Sequence, residues 1–325
     1  MHVPPPLAVD APSRVRRDAP AATTVLSGYL AAPSELTATG PLPHDDAGPK
    51  INAVFWVLSI VSGIFMMARL WAKRMRRKAY WWDDWLLLMS WLVNLVGVCI
   101  ISYCISLGLG KHSWDISPGN FVPLAKAFNI TATMSIVASI WSKTSFALTI
   151  LRLTNGWLRR LVWFLIVTTN VAMGVSALIN WIHCTPIQRL WDYQVEGSCW
   201  PNNIMLHYDV FSSAYSGAVD ISLVAIAWKL LLSLNMDGVE KIGATVAMSM
   251  GVFAGITSFI KTAQMWDHMF SDDFYDSVGV MLWSNAEITV TIMAASIPVL
   301  RAFFYDIFST RGASSISDAP TLTKD

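Results

Sequence analysis

Charge is scarce in this chain of 325 residues: Asp, Glu, Lys and Arg make up 14% of it, against roughly 25% in an ordinary soluble domain. The charge present balances to +1, which leaves no electrostatic footprint for a nucleic acid, so no such partner is expected. The phosphate-binding P-loop, the G-x-S-x-G nucleophile turn and the H-E-x-x-H zinc helix are all missing. No familiar soluble active site is therefore written in the chain. His183 and His207 have no second histidine or carboxylate at ligand spacing, so no metal is expected. The acidic pairs Asp83-Asp84 and Asp272-Asp273 are poor substitutes for the Mg²⁺-diphosphate motifs of prenyl-transferring membrane enzymes. They fall on opposite membrane faces by the topology below.

What the chain has instead is length in apolar runs. It is 54% hydrophobic and carries 16 Trp, a residue suited to the membrane–water interface. Seven stretches are each long enough for a bilayer crossing, which needs ~20 residues. They are Ile51–Ala72, Asp84–Leu107, Val122–Leu151, Leu158–Ile182, Met205–Leu232, Ile242–Trp266 and Ser277–Leu300. This predicts an all-α polytopic membrane protein, a seven-transmembrane helix bundle in contact with the lipid bilayer. Eleven Lys and Arg collect on one face: Lys73, Arg74, Arg76, Arg77, Lys78, Arg152, Arg159, Arg160, Lys229, Lys241 and Arg301. The positive-inside rule makes that face cytoplasmic. The other face is acidic, with Asp115, Asp192, Glu196, Asp267, Asp272, Asp273 and Asp276. The expected placement is an integral membrane protein of the plasma membrane or an endomembrane. Its N-terminus lies outside or in a lumen, and its C-terminus in the cytoplasm.

Three regions follow. Residues 1–50 are rich in Pro, Ala, Ser and Thr, lack an apolar core of signal-peptide length, and read as a disordered extracellular or luminal tail. Residues 51–301 form the membrane domain, and residues 302–325 a cytoplasmic tail. Within the tail, Ser309–Asp325 reads as unstructured, after a short amphipathic turn over Arg301–Phe308.

Ionisable residues inside the spans carry the strongest bottom-up signal. A charge at bilayer depth costs at least ~2.5–3.5 kcal/mol, so it faces the bundle and finds a partner. Asp220 lies near the middle of the fifth span, Glu287 near the middle of the seventh, and Lys261 in the outer half of the sixth. Thr257, Lys261, Gln264 and His268 share one helical face. So do Asp209, Ser213, Ser216 and Asp220, and Ser284, Glu287 and Thr291. Two readings stand side by side: a polar pocket of Asp220, Lys261, Glu287, Gln264 and Asp209 open toward the outside, or a closed ion-pair network that only fixes packing. Lys143, in the inner half of the third span, reads as snorkelling toward headgroups. Asp83 and Asp84 read as a cytoplasmic helix cap, facing the basic run Lys73–Lys78.

Of the four cysteines, Cys99 and Cys104 lie inside the second span and read as packing residues. Cys184 and Cys199 share the loop between the fourth and fifth spans, on the oxidising side, and are expected to form a disulfide; two free thiols are the alternative.

At that loop the chain resembles a known family. The pattern Cys184-Thr-Pro186, Leu190-Trp191-Asp192 and Gly197-Ser-Cys199 is accompanied by Trp82-Asp83-Asp84-Trp85 and by Gly108-Leu-Gly110-Lys111-His112-Ser-Trp114-Asp115. Ser142-Lys143-Thr-Ser145, Leu151-Arg152-Leu153, Leu282-Trp283-Ser-Asn-Ala-Glu287 and Ile297-Pro298-Val-Leu300-Arg301 complete the set. Together, in this order, these motifs resemble the fungal rhodopsin-like integral membrane domain family. That family includes Pth-type receptor-like proteins and members encoded in mycotoxin clusters such as satratoxin's. The chain departs from the family in having Lys261 where relatives commonly carry Arg, and no cysteine-rich domain ahead of the first span. The family is named for its helix arrangement. A retinal Schiff base needs a lysine deep in the bundle, usually in the seventh span. The seventh span has none, so no cofactor is expected. The acidic-Arg-Tyr and Asn-Pro-x-x-Tyr marks of animal seven-helix receptors are also missing.

Three functional classes remain. One is a receptor or sensor that takes a small apolar ligand or metabolite from outside and meets a cytoplasmic signalling partner. The second is an accessory membrane protein of a specialised-metabolite pathway. The third is an intramembrane enzyme for an apolar metabolite, with Glu287 or Asp220 as acid or base and Lys261 as electrostatic partner.

Overall fold

Helix ends fall where local chemistry places them. Pro49 sits in the first turn of α1 (Gly48–Met75), where its missing N–H has no cost, and Lys73 and Arg74 suit the negative end of the dipole in the last turn. Asp83 and Asp84 occupy the first turn of α2 (Trp82–Leu107). That helix stops at Gly108, whose φ of 122° is left-handed and unfavourable for any side chain. The remaining helices are α3 (Phe121–Leu151), α4 (Trp157–Ile182), α5 (Asn202–Ser233), α6 (Gly238–Asp267) and α7 (Phe274–Ser317). A two-stranded antiparallel ribbon, β1 (Cys184–Thr185) and β2 (Ser198–Cys199), stands in the α4–α5 loop. This computed structural model describes residues 47–77, 79–111, 115–152, 154–192, 194–233, 238–267 and 274–317. The expected tail up to residue 46, His268, Asp272 and Asp273 lie outside the described residues.

The seven-helix bundle expected from the apolar runs is present. Six of the helices are, among the described residues, long and apolar enough to cross a membrane; α6 stands with them between α5 and α7. Successive helices pack as neighbours, the ring closes between α7 and α1, and α3 reaches α5 and α7 across the interior. Two boundaries differ from the sequence reading. Residues 48–50 join α1 instead of the tail, and α7 continues past Pro298 to Ser317, through the segment expected to be unstructured from Ser309. A helix already nucleated gains one hydrogen bond per added residue, so extension needs little intrinsic propensity.

Burial is inverted relative to a soluble protein. Leu178 and Phe164 are each 62% exposed, whereas Ser90, Ser142, Ser145, Thr257 and Thr289 are fully buried. Lipid solvates the apolar outside, and small residues let helices approach closely inside. Gly217 of α5 and Gly255 of α6 face one another, so that a side chain on Gly255 would lie 2.9 Å from Ile221. Two apolar clusters fill the bundle. Phe55, Val98, Ile101, Leu124 and Val278 lie toward the end with the disulfide loop; Met66, Leu87, Phe146, Leu223 and Ile292 lie toward the basic end. On α7 the boundary between them falls at Glu287, the centre of a polar layer that holds the candidate site.

Candidate functional site

The polar layer is built by residues one helical turn apart on facing helices. Ser139 and Lys143 come from α3, Ser216 and Asp220 from α5, Lys261 from α6 and Glu287 from α7. Glu287 Oε1 lies 2.8 Å from the Lys143 ammonium and accepts hydrogen bonds from Ser216 at 2.9 Å and Ser139 at 3.3 Å. Its other oxygen lies 2.6 Å from Lys261 Nζ. Lys143 also donates to Asp220. Two ammonium groups thus balance two carboxylates, and each charge has a partner, which is what a low-dielectric interior requires.

Lys143 is the correction to the sequence reading. It does not snorkel to headgroups; its side chain is 2% exposed and bridges α5 and α7. Two carboxylates facing the same point outweigh the distance to the interface. Glu287 and Asp220 are also sealed, at 1% and 3% exposure. The cavity beside Lys143, lined also by Thr169, Leu165, Val219 and Leu223, holds about 10 Å³, room for no more than about one water. The four charged residues form an enclosed network.

Asp209 and Gln264, the other residues expected in the polar pocket, are not among the hydrogen-bonded members of the network. Asp209 accepts a hydrogen bond from Ser176 and so joins α5 to α4. Gln264 Oε1 is buried without a hydrogen-bond partner, against Gly279 of α7. His207 packs edge-on to Trp266 with ring centroids 6.2 Å apart. His183 Nδ1 sits 3.0 Å from the Ile179 carbonyl. A second polar contact ties α2 to α7, Asn94 Nδ2 donating to Asn285 Oδ1 at 2.9 Å.

A separate ionic cluster closes the basic end. Arg69 of α1 is fully buried; its Nε lies 2.9 Å from Asp84 and its Nη2 2.7 Å from Asp83, while Nη1 donates to the Ala295 carbonyl of α7. Lys73 pairs with both carboxylates, and Arg152 at the end of α3 pairs with Asp83. Asp84 also accepts from the Trp81 backbone N–H at 3.2 Å, a helix-capping contact. Asp84 therefore caps α2, and the two aspartates together join α1, α2 and α3. Arg69 escaped the sequence reading. Its signal was present: a guanidinium one turn before Lys73, inside an apolar span, cannot be left without a carboxylate.

At the opposite end Cys184 and Cys199 form a disulfide, bracketing the paired strands. Gly197 is needed there, because a Cβ would lie 2.5 Å from the Thr185 carbonyl oxygen. Lys126 of α3 sits 5.4 Å above the Trp191 ring and holds the loop against the bundle.

The family model of the fungal rhodopsin domain matches residues 68–306, and the chain belongs to that family as an integral membrane protein. It is 24% identical over 279 residues to Receptor GIN3 of Arthrobotrys oligospora, an alignment that covers 80% of this chain. The chain spans 64% of that relative's length. No solved structure matches.

Proposed function

We propose that this member of the fungal rhodopsin family is a receptor-like sensor, with its disulfide loop outside and its basic end in the cytoplasm. The observation that carries the reading is the relative named as a receptor, which aligns over 80% of this chain. The geometry supports it. A sensor needs an element with two arrangements whose balance a ligand shifts. The network of Lys143, Asp220, Lys261 and Glu287 joins four helices through three ion pairs. Small helix movements re-pair its charges in discrete steps, because packed interiors switch between arrangements instead of deforming continuously. A small apolar ligand acts on it from the loop end of the bundle, and the basic end meets a cytoplasmic signalling partner.

The test needs no ligand. Transcripts are compared in a deletion strain, the parent and an Asp220→Asn strain, with protein abundance measured in the same membranes. Asp220→Asn removes one of the two carboxylates that hold Lys143, so it loosens the network and signals without ligand. The deletion and the variant should shift an overlapping gene set in opposite directions. An unchanged transcript profile with an accumulating metabolic intermediate would overturn the sensor in favour of the pathway or enzyme reading.

A further inference from the structure

The ionic cluster at the basic end holds one cation more than it needs. Arg69 and Lys73 match Asp83 and Asp84 charge for charge, and none of these four side chains is more than 8% exposed. Arg152 adds a third cation through Asp83, yet its side chain is 41% exposed. Its guanidinium carbon lies 4.7 Å from the centre of the Trp81 ring, which is itself 57% exposed. One face of the guanidinium is stacked, one nitrogen is on Asp83, and the guanidinium carries five N–H donors in all. Trp82, Trp85 and Trp157 are exposed at the same end, at 79%, 54% and 66%. Amphipathic rings of this kind sit at headgroup level, which puts Arg152 there too. Arg74, Arg159 and Arg160 are exposed at this end and add positive charge around it.

We propose that Arg152, stacked on Trp81, is the binding site for the phosphate of an anionic phospholipid in the leaflet at the basic end. The planar fork of a guanidinium matches two phosphate oxygens, and the indole holds that plane in place. Drawing Arg152 from Asp83 toward a phosphate leaves two cations against two carboxylates inside, so no buried charge is stranded. Arg69 has no such freedom, being fully buried and held by the Ala295 carbonyl as well. The surplus charge of the cluster selects a net-negative headgroup over a zwitterionic one.

The full chain, purified and reconstituted in nanodiscs of phosphatidylcholine with a minority of phosphatidylserine, is released into native mass spectrometry to count retained lipids. The parent should retain phosphatidylserine. Arg152→Gln should retain about tenfold less or lower still, the ~1.5–3 kcal/mol of a charge-assisted contact to phosphate converted to affinity. Arg152→Lys, which keeps the charge and loses the fork, should fall between them. Arg160→Gln removes the same charge from the same end and should stay close to the parent. Every variant is compared as a monodisperse sample, so that misfolding is not read as lipid loss. Equal retention by the parent and Arg152→Gln overturns the site. Equal loss in Arg160→Gln reduces the effect to diffuse surface charge and overturns it as well. If inorganic phosphate stabilises the parent but not Arg152→Gln, and retention of phosphatidylserine is the same in both, the site belongs to a soluble anion and the lipid assignment fails.

Discussion

Lys143 of α3 stands 2.8 Å from Glu287 of α7 and also pairs with Asp220 of α5, with its side chain 2% exposed. One ammonium thereby connects three helices at mid-bundle, and Lys261 adds the fourth by holding the far oxygen of Glu287 at 2.6 Å. Such a centre contributes little net stability when intact, since desolvation offsets the attraction. Its integrity is another matter, because removing one member leaves a buried charge unpaired.

Lys143→Met should therefore destabilise the folded chain strongly, by ~3–5 kcal/mol. It leaves Asp220 and Glu287 facing Lys261 alone. Adding Asp220→Asn to it restores charge balance and should recover most of the loss. A double-mutant cycle on thermal unfolding in detergent measures the coupling. A Lys143→Met protein as stable as the parent would show that the ammonium carries no structural weight.

The Gly217–Gly255 contact sets how closely α6 approaches α5, and so where Lys261 falls. Gly255→Val should cost about 1–3 kcal/mol through overpacking against Ile221. Gly174→Ala, at a position with nothing within 4 Å, should be neutral or slightly stabilising. Similar losses in both variants would remove the close-approach argument.

The Cys184–Cys199 bridge spans a sequence separation of 15. In the chain-entropy model a loop of that size contributes about 3 kcal/mol. Unreduced protein should yield the linked peptides in mass spectrometry, and the double Cys→Ser variant should unfold at lower temperature. Full alkylation of both thiols without reductant is the contrary result.

Orientation is checked by glycosylation or protease-site tags at Ala21 and Ser315. The Ala21 tag should be reached from outside in intact cells, and the Ser315 tag only after permeabilisation. The reverse pattern would place the basic end outside and contradict the positive-inside argument.

The sequence by itself determined that the chain is a seven-helix membrane bundle. Apolar length, the sparseness of charge and the ordered motifs each point there, and lipid leaves a backbone few other ways to satisfy its hydrogen bonds. It also marked Asp220, Lys261 and Glu287 as buried charges needing partners, and Cys184 and Cys199 as a candidate pair. What it left open was which charges meet. Lys143 faces the centre instead of the headgroups, and Arg69 reaches Asp83 and Asp84 across α1 and α2. Asp209 and Gln264, on polar faces that looked continuous with the site, are not among its hydrogen-bonded members. Spacing along a helix gives the relative angle of its own side chains, but not the rotation of that helix against its neighbours. That rotation is settled only when the helices pack together and every buried charge must find its counter-charge.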